Sequence, residues 1–163
     1  LELLDAAGIS AGDADIDHLN RAWHRLDPWP DAVAGLTRLK SSFTITTLSN
    51  GNVSLLTDMA KHARLPWDCV LSAELFGHYK PDPEAYLGCA ELLDVSPGQV
   101  MLVAAHPADL RAARAAGLGT GFVYRPAEQG PGRTARRPTD GEFDVHAEDF
   151  LDLADQLGCP PGE

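Results

Sequence analysis

Apolar positions along this chain switch between a helical and a strand-like period. Leu1 to Ala7 reads as the end of a helix closed by Gly8. Asp15 to Leu26 repeats Ile16, Leu19, Ala22, Trp23 and Leu26 on one side of a second helix. Asp27-Pro28-Trp29-Pro30 then breaks the pattern. From Asp31 onward the two periods alternate. Helices are predicted over Asp31–Lys40 (Val33, Leu36 and Leu39 inward), Val53–Arg64 (Val53, Leu56, Met59, Ala60 and Ala63 on one face), Pro83–Leu93, Ala108–Ala116 and Phe150–Leu157. Asp82 suits the N-cap of the third, Pro83 its first turn, and Gly117 stops the fourth. Strands are predicted over Phe43–Leu48, Cys69–Ser72, Val100–Ala104 and Thr120–Tyr124, with a weaker one over Phe143–His146. Arg125 to Glu142 is rich in Pro, Gly and Arg and reads as a surface loop, with Arg133, Arg136 and Arg137 solvated. Trp23, Trp29 and Trp67 read as packing residues.

Strands alternating with helices at this spacing predict an α/β fold: a Rossmann-like parallel sheet with right-handed crossovers and helices on both faces. Residues 1–27 do not fit that layer and read as part of a separate helical subdomain. Residues 28–158 form the α/β core, and 159–163 a flexible tail.

Composition narrows the partners. The 163 residues are 44% hydrophobic, an ordinary globular value. Thirteen Lys and Arg against 24 Asp and Glu give a formal charge of −11. Such a surface repels nucleic acid and anionic membranes, so neither is expected as a partner. A small anionic substrate stays open, because one lysine can dominate a pocket. Cys69, Cys89 and Cys159 form no C-x-x-C and no even set, which points to a reducing, cytoplasmic setting without a zinc site. No apolar run has membrane-spanning length and no signal peptide opens the chain. It begins at Leu1 without an initiator Met, which reads as a truncated frame.

Candidate chemistry gathers where strands end, the edge at which open α/β sheets bind ligands. Ser49 and Asn50 follow the first predicted strand. A hydroxyl, an amide and free backbone N–H groups there can bind a carboxylate, or simply make a good turn and cap. Lys80, before Pro81-Asp82-Pro83, can stabilise a carboxylate or be a surface lysine. Tyr86, one turn into the next helix, faces the same pocket or is a half-buried aromatic. Asp109 can pair with Lys80 or orient a water, or act as a first-turn acid. His106, at a strand exit, is a catalyst or a cap. Gly117-Leu118-Gly119-Thr120-Gly121 runs from helix to strand, the wrong polarity for a dinucleotide loop. No G-x-x-x-x-G-K-[ST], G-x-S-x-G or H-E-x-x-H is present.

In this order, Leu48-Ser49-Asn50-Gly51-Asn52, Lys80-Pro81-Asp82-Pro83 with Tyr86, and Val103 to Asp109 resemble the second, third and fourth motifs of the haloacid dehalogenase (HAD) superfamily. The likeness is greatest to its L-2-haloacid dehalogenase branch and runs from about Asp15 to Leu157. The resemblance implies that residues 1–27 are a remnant of a helical cap. It also implies hydrolysis of a short 2-halocarboxylate to a 2-hydroxy acid. An aspartate ending the first strand attacks the halogen-bearing carbon, and water hydrolyses the resulting ester. By position, Ser49 and Asn50 would contact the substrate carboxylate and the nucleophile, and Lys80 would hold the nucleophile ionised. Tyr86 would support the pocket, and His106 and Asp109 would order the water or the lysine.

The nucleophile motif itself is absent. Asp5, Asp13, Asp15 and Asp17 stand in helical contexts and do not replace it. Little or no turnover is therefore expected from this chain, together with a gap or improvised pairing between Phe43–Leu48 and Val100–Ala104. The fourth motif has Ala104, His106 and Ala108 where the branch often has Ser, Asn and Trp. Phosphatases of the superfamily hold Mg²⁺ through the nucleophile and an acidic pair in the fourth motif; the first acid of that pair would fall at Ala104 or Ala105, and alanine offers no oxygen ligand. No cofactor is therefore implied; Mg²⁺ enters only under the alternative of a phosphatase. A non-catalytic remnant of the fold is the rival outside enzymes. Family members are often dimers, so a homodimer is compatible.

Overall fold

The computed structural model describes residue 4, residues 6–130 and residues 132–162. The helix expected over Leu1–Ala7 falls largely on positions 1–3 and 5, outside the described residues. The next helix, α1 (Asp13–Arg21), passes into a 3-10 turn over Ala22–Arg25. Its start is set at Gly12, whose N–H donates to Asp15 Oδ2 at 3.0 Å. The apolar side predicted for this segment is not buried. Leu19 and Trp23 are each 61% exposed and Leu26 is exposed as well. Periodicity reports that one side is apolar, not that anything covers it. What holds the segment is α3 (Val53–Ala63), against which the 3-10 turn packs. Two histidine–carboxylate contacts add to this: His24 Nδ1 to Asp58 Oδ2 at 2.7 Å, and His62 Nε2 to Asp27 Oδ1 at 3.3 Å.

The core opens with α2 (Ala32–Lys40), which buries Ala32, Gly35, Leu36 and Leu39 while Val33, expected inside, is exposed. It lies against α6 (Phe150–Gln156) at backbone range. A Cβ on Gly35 would stand 2.3 Å from Phe150 Cβ and 2.8 Å from its carbonyl carbon. This crossing is therefore built around the missing side chain. Packing also continues into the segment expected as a tail. Cys159 is buried, and Arg38 donates to the carbonyls of Cys159 and Pro160, both at 3.0 Å.

All strand pairs are parallel. β1 (Thr46–Ser49) pairs with β2 (Cys69–Ser72) from Thr46↔Cys69 to Ser49↔Ser72. β3 (Met101–Ala104), β4 (Gly119–Val123) and β5 (Val145–Ala147) form a second sheet in that order. No ladder joins β1 to β3 among the described residues, and the two do not lie side by side as neighbouring strands do. The sheet is thus interrupted at the place the sequence predicts. Two further helices, α4 (Pro83–Leu92) and α5 (Pro107–Ala115), complete the core.

Helices cover both faces. Phe122 and Val123, adjacent on β4, enter opposite apolar clusters, as strand alternation requires. One cluster gathers Leu36, Leu39 and Leu153; the other gathers Tyr86, Leu102 and Leu110.

Between β4 and β5 the described residues form no helix or strand, but they are not all at the surface. Arg125 is buried and forks onto both oxygens of Asp31 at 2.8 Å. Its guanidinium lies over the rings of Trp29 and Phe150, 5.3 and 4.9 Å from their centroids. Burial alone would raise the Asp31 carboxyl. Hydrogen bonds from Arg125 and the Phe150 N–H, with the Arg125 charge, outweigh it and hold it below the ordinary value. Arg133 and Arg136 are exposed as expected, whereas Arg137 stacks on Tyr124, 3.9 Å from its centroid, and pairs with Glu148.

Candidate active site

Three loops meet at the carboxyl ends of β1, β2 and β3, and each is shaped by its own side chains. After β1 the chain turns sharply into α3. The Ser49 hydroxyl accepts the Gly51 N–H at 3.0 Å, and the Ser72 hydroxyl donates to the Gly51 carbonyl at 2.6 Å. Asn52 then caps α3 by accepting the Leu55 N–H at 2.8 Å. Ser72 is fully buried at the end of β2, opposite Ser49 in the strand register. Ser72 is a candidate functional residue outside the three motifs; the sequence signal for it is its position at a strand end, like that of Ser49.

The loop from β2 to α4 brings Lys80 inward. Asn50 Nδ2 donates to the Lys80 carbonyl at 3.0 Å, and the Lys80 N–H donates to Asn50 Oδ1 at 2.8 Å. The Lys80–Pro81 peptide is cis. Asp82 stands at the N-cap of α4, as expected, but makes no side-chain capping bond; its carboxylate lies 3.5 Å from His78 Nδ1 instead. With Glu84, His78 and Asp82 form an exposed cluster of ionisable groups within 4.8 Å of one another, the one metal-type grouping among the described residues. It reads as an ion-pair cluster on the surface.

The third loop follows β3 into α5. Asp109, in the first turn of α5, accepts from two donors. Lys80 Nζ reaches Oδ2 at 2.6 Å and Tyr86 OH reaches Oδ1 at 2.6 Å. The lysine and aspartate side chains are only 16% and 17% exposed. Burial, then the Asp109 carboxylate, push the Tyr86 hydroxyl well above an ordinary phenol, so it remains a donor. Three residues singled out in the sequence therefore form one bonded group that spans the interruption between β1 and β3. Such a group presents a fixed ammonium in a largely water-free setting, where charge stabilisation is strongest.

His106 stands apart. It is the N-cap residue of α5 without a side-chain capping bond. Its Nε2 lies 2.8 Å from Glu128 Oε1, and its side chain is 69% exposed. Its carbonyl accepts the Asp109 N–H at 3.1 Å, but among the described residues its ring makes no hydrogen bond to Lys80 or Asp109. Glu128 was not legible in the sequence, because a loop carboxylate 22 residues away carries no local signal. Ala104 and Ala105 follow at the end of β3 and offer no oxygen side chain to a cation.

The chain is similar to known proteins in sequence and in fold. A family model described as a haloacid dehalogenase-like hydrolase matches residues 1–117. The chain is 37% identical over 107 residues to (S)-2-haloacid dehalogenase 1 of Pseudomonas sp. (strain CBS-3), which covers 64% of this chain and 47% of that protein. The solved structure of the L-2-haloacid dehalogenase PA0810 superposes with a TM-score of 0.90 at 49% identity, covering 96% of this chain and 67% of that one. That of the defluorinating L-2-haloacid dehalogenase Rha0230 gives 0.89 at 51% identity, covering 94% and 64%. The chain spans about half the length of the curated relatives it matches.

Proposed function

The chain belongs to the haloacid dehalogenase-like hydrolases, and on that premise we propose that it carries the lysine half of a 2-haloacid dehalogenase active site. The observation that carries the reading is the Lys80–Asp109–Tyr86 group, which joins the loop after β2 to the helix after β3 where no ladder joins β1 to β3. The missing partner is an aspartate at the end of a strand seated in that interruption. Its carboxylate oxygen forms an ester bond to the halogen-bearing carbon of a short 2-halocarboxylate, and halide leaves with the bonding pair. Water then cleaves the ester, giving the 2-hydroxy acid, regenerating the carboxylate and releasing a proton. Lys80 holds the nucleophile ionised between turnovers, with its ammonium kept in place by Asp109. Ser49 receives the substrate carboxylate through its hydroxyl, which can donate while accepting the Gly51 N–H. Likeness to an enzyme described as defluorinating supports including 2-fluorocarboxylates among the substrates.

Where a phosphatase of this superfamily has the first of the two acids that bind Mg²⁺ after β3, Ala104 and Ala105 stand and only Asp109, already paired with Lys80, follows. The donor set does not fit the ion, which supports metal-independent carbon–halide hydrolysis over phosphoryl transfer. The test is made on the chain joined to a strand ending in Asp. Chloroacetate should release chloride at a rate unchanged by EDTA. EDTA-sensitive cleavage of an aryl phosphate, without chloride release, would overturn the reading.

A further inference from the structure

Asp109 and Tyr86 fix the tip of Lys80, but four rotatable bonds separate that ammonium from the backbone. A fixed tip does not fix the root. Asn50 does: its amide takes both the N–H and the C=O of Lys80, at 2.8 and 3.0 Å. The two residues lie 30 positions apart, Asn50 directly after β1 and Lys80 in a segment that joins no strand. The side chain thus supplies the pair of bonds that a neighbouring strand would have supplied.

Asn50 is itself aimed. The next residue, Gly51, has its N–H taken by the Ser49 hydroxyl and its C=O by Ser72. A continuous set of bonds therefore runs from the buried Ser72 through Gly51 and Asn50 to Lys80, and on to Asp109 and Tyr86. Few side chains fit the Asn50 position. Aspartate has acceptors only and would set a carboxylate against the Lys80 carbonyl. Glutamine is one methylene longer, and alanine makes neither bond.

We infer that Asn50 is a positioning residue for Lys80, its amide holding both backbone groups of that lysine. This rests on the reading of Lys80 as the cation of the site. It divides the labour: the Ser49 hydroxyl is left to the carboxylate, and Asn50 acts through Lys80.

The experiment is residue-resolved amide hydrogen exchange by NMR on the 163-residue chain, with the Lys80 ammonium signal recorded in parallel. In Asn50→Ala the Lys80 N–H should exchange about tenfold faster, the scale of one lost hydrogen bond. The ammonium signal should broaden, while amides of α4 and β4 keep their protection. Asn50→Asp retains the acceptor for the Lys80 N–H, so exchange there should stay within about threefold of the parent. Unchanged Lys80 exchange in Asn50→Ala would overturn the inference. So would a uniform loss of protection across the chain in both variants, the sign of a merely structural residue. Because the readout is not turnover, failure here leaves Lys80 in its assigned role, which chloride release tests separately.

Discussion

Asp109 is the residue on which the candidate site turns, because both its oxygens are taken by donors from other elements. Removing one donor leaves a half-buried carboxylate short of a partner. Tyr86→Phe keeps the ring in its fully buried place and deletes only the hydroxyl. It should cost about 1–2 kcal/mol in urea unfolding. Asp31 offers a pH test. Its carboxyl is held below the ordinary value in the folded chain, so the folded state binds fewer protons there than the unfolded state. The stabilisation is full above the ordinary carboxylate range and is lost as pH falls through the lowered value. Thermal melts of the parent and Asp31→Asn should therefore differ at pH 7 and converge as pH falls beneath the ordinary carboxylate range. A constant difference across that range would contradict the role of the charge.

Among the elements, the contact of α2 with α6 depends on a single missing methyl group. A Cβ at Gly35 meets Phe150 backbone as well as side chain, so rotation alone cannot relieve it. Gly35→Ala should destabilise by about 1–3 kcal/mol in urea melts, despite alanine's better helix propensity. The same scale shows what could be read beforehand. Cys69–Ser72 was legible to the residue, and α3, α4 and α5 within one position at either end, because their apolar periods are clean. β1 begins at Thr46 rather than Phe43, which points into solvent for want of a neighbour. Leu19, Trp23 and Leu26 misled for a related reason: their spacing is helical, but no described element covers them. Arg125 was hidden because its partner, Asp31, lies 94 residues away and only the fold brings them together. Lys80, Tyr86 and Asp109 were legible as a set through their order at strand ends. The commitment of Asn50 to the Lys80 backbone was not, since nothing in a sequence says which of several bonds an amide makes.

At the scale of the molecule, two half-sheets face each other across an unpaired interval, bridged at their carboxyl ends by one ammonium–carboxylate contact. The formal charge of −11 makes that ammonium a local exception on an acidic protein. It suits a site for a small anion in which Lys80 supplies the positive charge. The most direct measurement is chloride released from (S)-2-chloropropionate, followed by ion chromatography. It compares the 163-residue chain alone with the same chain carrying, ahead of residue 1, a segment that ends a strand in Asp. The first should release no chloride above buffer. The second should show sustained release, falling at least about a hundredfold in Lys80→Ala. Release by the chain alone, or release that survives Lys80→Ala, would contradict the proposed site.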